Sequence, residues 1–151
     1  MSDLDSLYQD VILDHAKRKL NAGLREPFEA EVHHVNPTCG DEVTLRVHLD
    51  GEGPDATVAD ISYDALGCSI STSAASVMTD LLIGRTLSEA DTVVQEFLAM
   101  MRGKGQYEPD EDVLEDAVAF QGTARLSARV KCALLSWMAY QDAVTRAQED
   151  S

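Results

Sequence analysis

At Gly67 the hydrophobic pattern of this chain changes period, and that change decides which folds are open to it. Before it, Val43, Leu45, Val47 and Leu49 alternate strictly with Glu42, Thr44, Arg46 and His48. A period of two is that of a strand with one buried and one wet face. Residues 30–36 form a second strand with Val32, His34 and Asn36 on one side. Residues 57–66 form a third, where Val58 alternates into Asp60 and Ile61 and Tyr63 follow less regularly. The stretches Asn36-Pro37-Thr38-Cys39-Gly40-Asp41 and Asp50-Gly51-Glu52-Gly53-Pro54-Asp55 are dense in turn residues. Short strands joined by such turns predict an antiparallel meander, since parallel neighbours need a crossover of about a dozen residues or more.

After Gly67 the period is helical. Ala74, Val77, Met78, Leu81 and Leu82 mark a helix over 70–83 that Gly84 closes. Leu87-Ser88-Glu89-Ala90-Asp91 resembles a capping-box start, with Val94, Phe97, Leu98 and Met101 as the buried stripe. A polar break from Gly103 to Asp112 precedes a short acidic helix at 113–120, and Ser127 caps a last helix carrying Val130, Leu134, Trp137, Met138 and Gln141. Ahead of the strands, residues 3 to 19 are amphipathic through Leu4, Leu7, Tyr8, Val11 and Ile12. Lys17, Arg18 and Lys19 suit the end of that helix, and Asn21, Gly23 and Pro27 break it. The expected class is α+β: an N-terminal helix, a three-stranded antiparallel sheet, then a C-terminal group of helices. A length of 151 residues suits a single domain, 1–151, in which 103–122 looks inserted.

Charge narrows the partners. Twelve basic against 27 acidic side chains leave a net −15, which repels polyanions and argues against nucleic acid. No window approaches the roughly 18 uninterrupted apolar residues of a spanning helix, so no membrane is expected. Asp3, Asp5, Asp10 and Asp14 stand where a signal peptide would be apolar. With three cysteines, an odd number for disulfides, this predicts a reducing, cytoplasmic setting and partners that are proteins, small molecules or cations.

The three thiols differ in context. Cys39 sits in a turn with no hydrophobic residue between Val35 and Val43, an unusual place for a structural cysteine. Cys68 follows Gly67 at the start of a helix, where unpaired N–H groups favour the thiolate that reacts or binds metal. Cys132 lies within the last helix and by itself reads as core. Zinc takes four ligands from thiolate, imidazole and carboxylate, and two loops plus a helix offer Cys39, Asp41, Cys68 and Cys132. No pair has CxxC spacing, so spacing by itself is a weak signal for this set. His15, His33, His34 and His48 read as surface or packed side chains before ligands.

Leu7-Tyr8-Gln9-Asp10-Val11-Ile12-Leu13-Asp14-His15, Asn36-Pro37-Thr38-Cys39-Gly40-Asp41, Gly67-Cys68-Ser69-Ile70-Ser71 and Ala128-Arg129-Val130-Lys131-Cys132-Ala133 together resemble the IscU/NifU-N family of iron–sulfur cluster assembly proteins. The likeness runs from about residue 6 to 143, and the ordered set of cysteine motifs is its specific part. Two departures resemble the SufU branch: Lys131 stands where scaffold members have a histidine, and the stretch between Cys68 and Cys132 is longer by about the length of 103–122. A third is small, Ser127 standing near where relatives often have a proline.

The resemblance implies a SufE/NifU-like fold and a Zn²⁺ held by Cys39, Asp41, Cys68 and Cys132. It also implies an accessory, sulfurtransferase-type role, with Cys39 accepting persulfide sulfur from a SufS-type cysteine desulfurase and downstream Suf assembly proteins as further partners. Asp41 is then the expected gate of the metal, and Arg129, one turn before Cys132, either serves the site or is a solvated helix charge. Two other functions stay open: a scaffold carrying a transient [2Fe–2S] cluster on the same thiolates, and a zinc-stabilised binding module without sulfur chemistry.

Overall fold

The computed structural model describes residues 3–38 and 40–149, with side chains from Ser6 onward. Helix α1 (Asp3–Arg18) leads into strands β1 (Ala30–Asn36), β2 (Asp41–Asp50) and β3 (Thr57–Leu66), which pair antiparallel in the order β1-β2-β3. Helices α2 (Ser69–Leu82), α3 (Leu87–Arg102), α4 (Glu111–Leu114) and α5 (Ser127–Glu149) follow, so the α+β order read from the sequence is the order of the fold. No helix among the described residues is long and apolar enough to cross a membrane.

The central strand has the predicted alternation. Val43, Leu45 and Val47 are buried and lie opposite Ala65, Tyr63 and Ile61 of β3, while Leu45 and Val47 face Val32 and Ala30 of β1. The irregular rhythm of the third strand has a structural cause. His48 pairs with Asp60 but Leu49 pairs with Val58, leaving Ala59 as an extra residue. A bulge of that kind shifts the inward phase by one, so that Val58 before it and Ile61 and Tyr63 after it are all buried. The Tyr63 phenol is pushed up to about 12 by burial, which keeps it a neutral packing group.

Helix α2 is buried along most of its length and packs against α1, α5 and β3. Its small polar residues permit this because their hydroxyls bond within the helix or to close neighbours: Thr79 Oγ1 donates to Ser76 O, and Ser76 Oγ accepts from Leu20 N–H at 3.0 Å. Helix α1 departs from the expected stripe. Leu7 is 56% exposed, Tyr8 and Ile12 pack against the core only partly, and His15 is the fully buried residue at 1% exposure. The Leu4 side chain lies outside the described ones.

Three further expectations need correcting. The capping box of α3 is Thr86 with Glu89, two residues ahead of Ser88: Glu89 N–H donates to Thr86 Oγ1 at 3.1 Å and Thr86 N–H to Glu89 Oε1 at 3.0 Å. The acidic helix expected at 113–120 starts at Glu111, is α-helical only to Leu114, and continues as a 3₁₀ segment to Gln121. That segment buries Leu114, Ala117 and Phe120 completely, and Phe120 meets Phe97 edge to face at 5.9 Å. A buried phenylalanine is worth roughly 1.5–3 kcal/mol, so the second half of 103–122 packs as part of the core. The last helix buries Cys132, Leu135, Ser136, Trp137, Ala139 and Ala143, whereas Met138 is 36% exposed and Leu134 half-buried. Small residues, Ala133, Ser136, Ala139, Ala143 and Ala147, take much of the inner face because α5 lies close against β1, β2 and α2; Trp137 is the largest buried side chain there, and it stacks on Phe97 at 4.0 Å.

Candidate metal centre

Two turns and one helix meet at one end of the meander. In the β1–β2 connection, Asn36 and Asp41 are the last paired residues, Thr38 N–H bonds Asn36 Oδ1 at 3.2 Å, and Gly40 N–H returns to Asn36 O at 2.9 Å. Gly40 has φ +73, a left-handed conformation for which glycine has no steric penalty. This closure delivers Asp41 to the first position of β2 with its side chain inward, 1% exposed. Cys39, the expected fourth ligand and sulfur acceptor, lies outside the described residues.

In the β3–α2 connection, Cys68 is the N-cap residue of α2 with extended backbone, and its side chain makes no capping bond. Its N–H instead donates to Asp41 Oδ1 at 3.1 Å. Ser71 and Thr72 both donate to the Cys68 carbonyl, at 3.2 and 2.9 Å, so the cysteine is held from both sides of its peptide. Cys132 projects from the second turn of α5, 1% exposed, with Sγ 3.9 Å from Ala128 O.

The ligand atoms of Asp41, Cys68 and Cys132 all lie within 4.8 Å of one another. Asp41 Oδ2 is 3.7 Å from Cys68 Sγ. Tetrahedral zinc with Zn–S near 2.3 Å and Zn–O near 2.1 Å sets O···S edges of about 3.6 Å, which the Asp41–Cys68 pair matches, and the whole set of three lies within about an ångström of that spacing. The burial of Asp41 points the same way. A carboxylate taken out of water requires compensation by a cation or several donors. Among the described residues Asp41 has one N–H donor and no cationic side chain, and the space beside it is bounded by two sulfurs.

The other expected or excluded residues are elsewhere. Arg129 is exposed on α5 and, among the described residues, no hydrogen bond or ion pair joins its side chain to the three ligands. Each histidine is engaged away from the cluster: His33 with Thr44, His34 with Asp142, His48 with Glu29, and His15 with Ser76 and Asp116.

The supporting roles of two residues in the Gly67–Ser71 motif were not read from the sequence. A Cβ added to Gly67 would lie 2.6 Å from Ser71 Oγ and 2.8 Å from Asp41 Cγ, so only a residue without a side chain lets the backbone pass the carboxylate. A glycine directly before a candidate ligand is the signal that pointed there. Ser71, whose Oγ is 3.9 Å from Cys68 Sγ, had no signal beyond lying one turn into the helix.

Known proteins supply the context for this geometry. The NifU-like N terminal domain family matches residues 7–133. The zinc-dependent sulfurtransferase SufU of Bacillus subtilis is 39% identical over 146 residues, 96% of this chain and 94% of that protein. The iron–sulfur cluster assembly scaffold protein IscU of Streptococcus pyogenes is 37% identical over 97% of this chain and 87% of its own. A crystal structure of a SUF-system iron–sulfur cluster assembly scaffold protein from Fervidobacterium islandicum AW-1 superposes with a TM-score of 0.80 at 33% identity, over 89% of this chain and 94% of that one. The chain, with its Asp41, Cys68 and Cys132 cluster at the end of a three-stranded meander, belongs to the NifU-like N-terminal family of iron–sulfur cluster assembly proteins.

Proposed function

We propose that this protein, acting as a single cytoplasmic domain, is a zinc-dependent sulfur-transfer partner of a SufS-type cysteine desulfurase. The convergence of Asp41, Cys68 and Cys132 within 4.8 Å carries the reading, because a carboxylate and two thiols from three separate elements have no packing reason to meet. The SufU relative, named a zinc-dependent sulfurtransferase, supports it, as do Lys131 before the third cysteine and the 103–122 stretch. Zn²⁺ would be held by Cys39, Asp41, Cys68 and Cys132, and when bound it would keep those thiols deprotonated at neutral pH.

Cys39 is assigned the acceptor role, since it stands in a polar turn and the other two thiols are half-buried and buried. Its thiolate attacks the terminal sulfur of the desulfurase persulfide. A new Cys39 Sγ–S bond forms, the old S–S bond breaks, and the desulfurase cysteine leaves as thiolate. The sulfur moves without net oxidation or reduction, and no co-reactant is required. Asp41 is the gate: an oxygen ligand in a sulfur-rich set is the harder, more readily exchanged donor, and its bond to Cys68 N–H gives its carboxylate a resting partner when Cys39 is engaged elsewhere. Arg129, exposed one turn before Cys132, is proposed to face the partner and not the ligands.

The test is zinc content and desulfurase stimulation in one preparation. We expect about one zinc per chain, strong stimulation by the wild type, and none by Cys39→Ala. Equal stimulation by the variant would sink the acceptor assignment. A second reading, a scaffold for a transient [2Fe–2S] cluster, is supported by the IscU relative and by a thiolate set that suits iron as well. Anaerobic reconstitution yielding a visible-absorbing cluster that passes to an apo-ferredoxin would favour it.

A further inference from the structure

Beside the metal centre runs a groove of about 380 Å³ between the β1–β2 turn and α5. Its floor is apolar, from Val35, Pro37, Leu134 and Met138, and its rim carries Arg102 and Lys131. Val35 is 50% exposed and Met138 36%, a notable amount of open apolar surface for side chains this close together. Among the described residues no carboxylate lines the groove, in a chain with 27 of them. Five of the eight arginines are matched, Arg18 with Asp14, Arg25 with Asp60, Arg46 with Glu31, Arg85 with Glu115 and Arg146 with Asp142, and outside the groove only Arg125 and Arg129 lack an ion pair among the described residues. Among the described residues Arg102 and Lys131 have no such partner, and both are exposed.

We propose that this groove grips an acidic, apolar-tipped segment of the sulfur-donating protein; the inference rests on the sulfur-transfer reading and adds how the donor is held. A body of net −15 repels an acidic segment over most of its surface, so an acid-free recess with two unmatched cations is where such a segment settles. The apolar floor adds affinity that charge by itself lacks, because contacts between exposed charges are screened beyond about 10 Å at 0.1 M salt. Position selects the donor. The groove wall is Asn36, Pro37 and Thr38, the residues leading directly to Cys39, and Lys131 directly precedes Cys132. A chain seated there has the rest of its surface beside the acceptor turn.

The experiment is a titration of the cysteine desulfurase with four forms of the full chain, each first checked for an unchanged melting profile. These are wild type, Arg102→Glu with Lys131→Glu, Met138→Asp, and Arg18→Glu with Arg85→Glu as a control of equal charge change outside the groove. The groove pair should raise the half-saturating concentration at least about tenfold with the plateau of stimulation retained, and Met138→Asp should raise it several-fold, by about three or more. The control pair should shift it by less than about threefold, the residual effect of net charge. Equal shifts from groove and control pairs, or no shift while the wild type still transfers sulfur, would overturn the docking assignment and leave sulfur transfer standing. A lost plateau at unchanged half-saturation would assign Lys131 to the metal centre and likewise overturn docking. If the wild type itself neither stimulates nor gains sulfur on Cys39, the transfer reading fails and the donor assignment falls with it.

Discussion

Replacing Gly67 by alanine adds one methyl group at the point where the β3–α2 turn passes the Asp41 carboxylate. The new carbon would lie 2.6 Å from Ser71 Oγ and 2.8 Å from Asp41 Cγ, distances no carbon tolerates. Ser71 can turn away, at the loss of its bond to Cys68 O, but Asp41 is 1% exposed and has little room to move. Overpacking a tight site costs about 1–3 kcal/mol. Displacing the carboxylate also weakens the Cys68 N–H bond to Asp41 Oδ1, a charged hydrogen bond worth about 1.5–3 kcal/mol, of which we assign roughly half. The total is about 2–4 kcal/mol, or about 5–15 °C in Tm for a domain of this size. Melting should be followed on chelated protein, so that the strain is read without metal, and zinc affinity measured in parallel. The affinity should fall, since Asp41 Oδ2 can no longer sit 3.7 Å from Cys68 Sγ. A Gly67→Ala protein that melts within about 2 °C of wild type and binds zinc equally well would refute the close-approach argument.

Three other substitutions probe the frame around the centre. His15 Nε2 faces Asp116 Oδ2 at 3.2 Å and Nδ1 faces Ser76 Oγ at 2.9 Å, so a carboxylate on one side leaves Nδ1 of the neutral ring to accept from the serine. His15→Leu removes the acceptor of the Ser76 hydroxyl, which keeps only the Leu20 N–H as partner, and should cost about 1–3 kcal/mol in urea unfolding, while Asp116→Asn, at a side chain 55% exposed, should cost under about 1. Asp142 is held below its ordinary value near 3.8 by the hydrogen bond from His34 and then by Arg146. A depressed carboxylate contributes stability that is present above the unfolded value and lost as pH falls through the folded one. Wild type and Asp142→Asn should therefore differ at neutral pH and converge below about pH 3.8, as followed by denaturant midpoints. A gap that persists into acid would rule out the ion-pair origin.

Most of the frame was legible in the residues themselves, and the exceptions have causes. Strand limits at 30–36 and 57–66 follow from turn chemistry on either side, and they hold in the structure. The uneven rhythm of 57–66 was visible but its cause, the bulge at Ala59, depends on pairing with β2. The α5 face was misread because long side chains were favoured as core, where close approach to the sheet selects Ala139, Ala143 and Ser136. Segment 111–121 was misread because a 3₁₀ stretch follows neither helical nor strand periodicity, and Phe120 looks isolated in an acidic run. In the candidate centre, Asp41 and Cys68 stood out by turn and helix-start context, whereas Cys132 by itself read as core and joined them only as a member of the four-ligand set. The His15–Ser76–Asp116 tie left no trace, since its members are 61 and 101 residues apart along the chain from His15 and each is ordinary in its own segment.

The measurement that bears most directly on the central claim is mass spectrometry of the trapped protein. The zinc-loaded chain is incubated with desulfurase and cysteine, alkylated, digested, and each cysteine peptide weighed. The account predicts one added sulfur atom on the peptide carrying Cys39 and none on those carrying Cys68 or Cys132. No added sulfur on any of the three, with desulfurase active in the same tube, would contradict it.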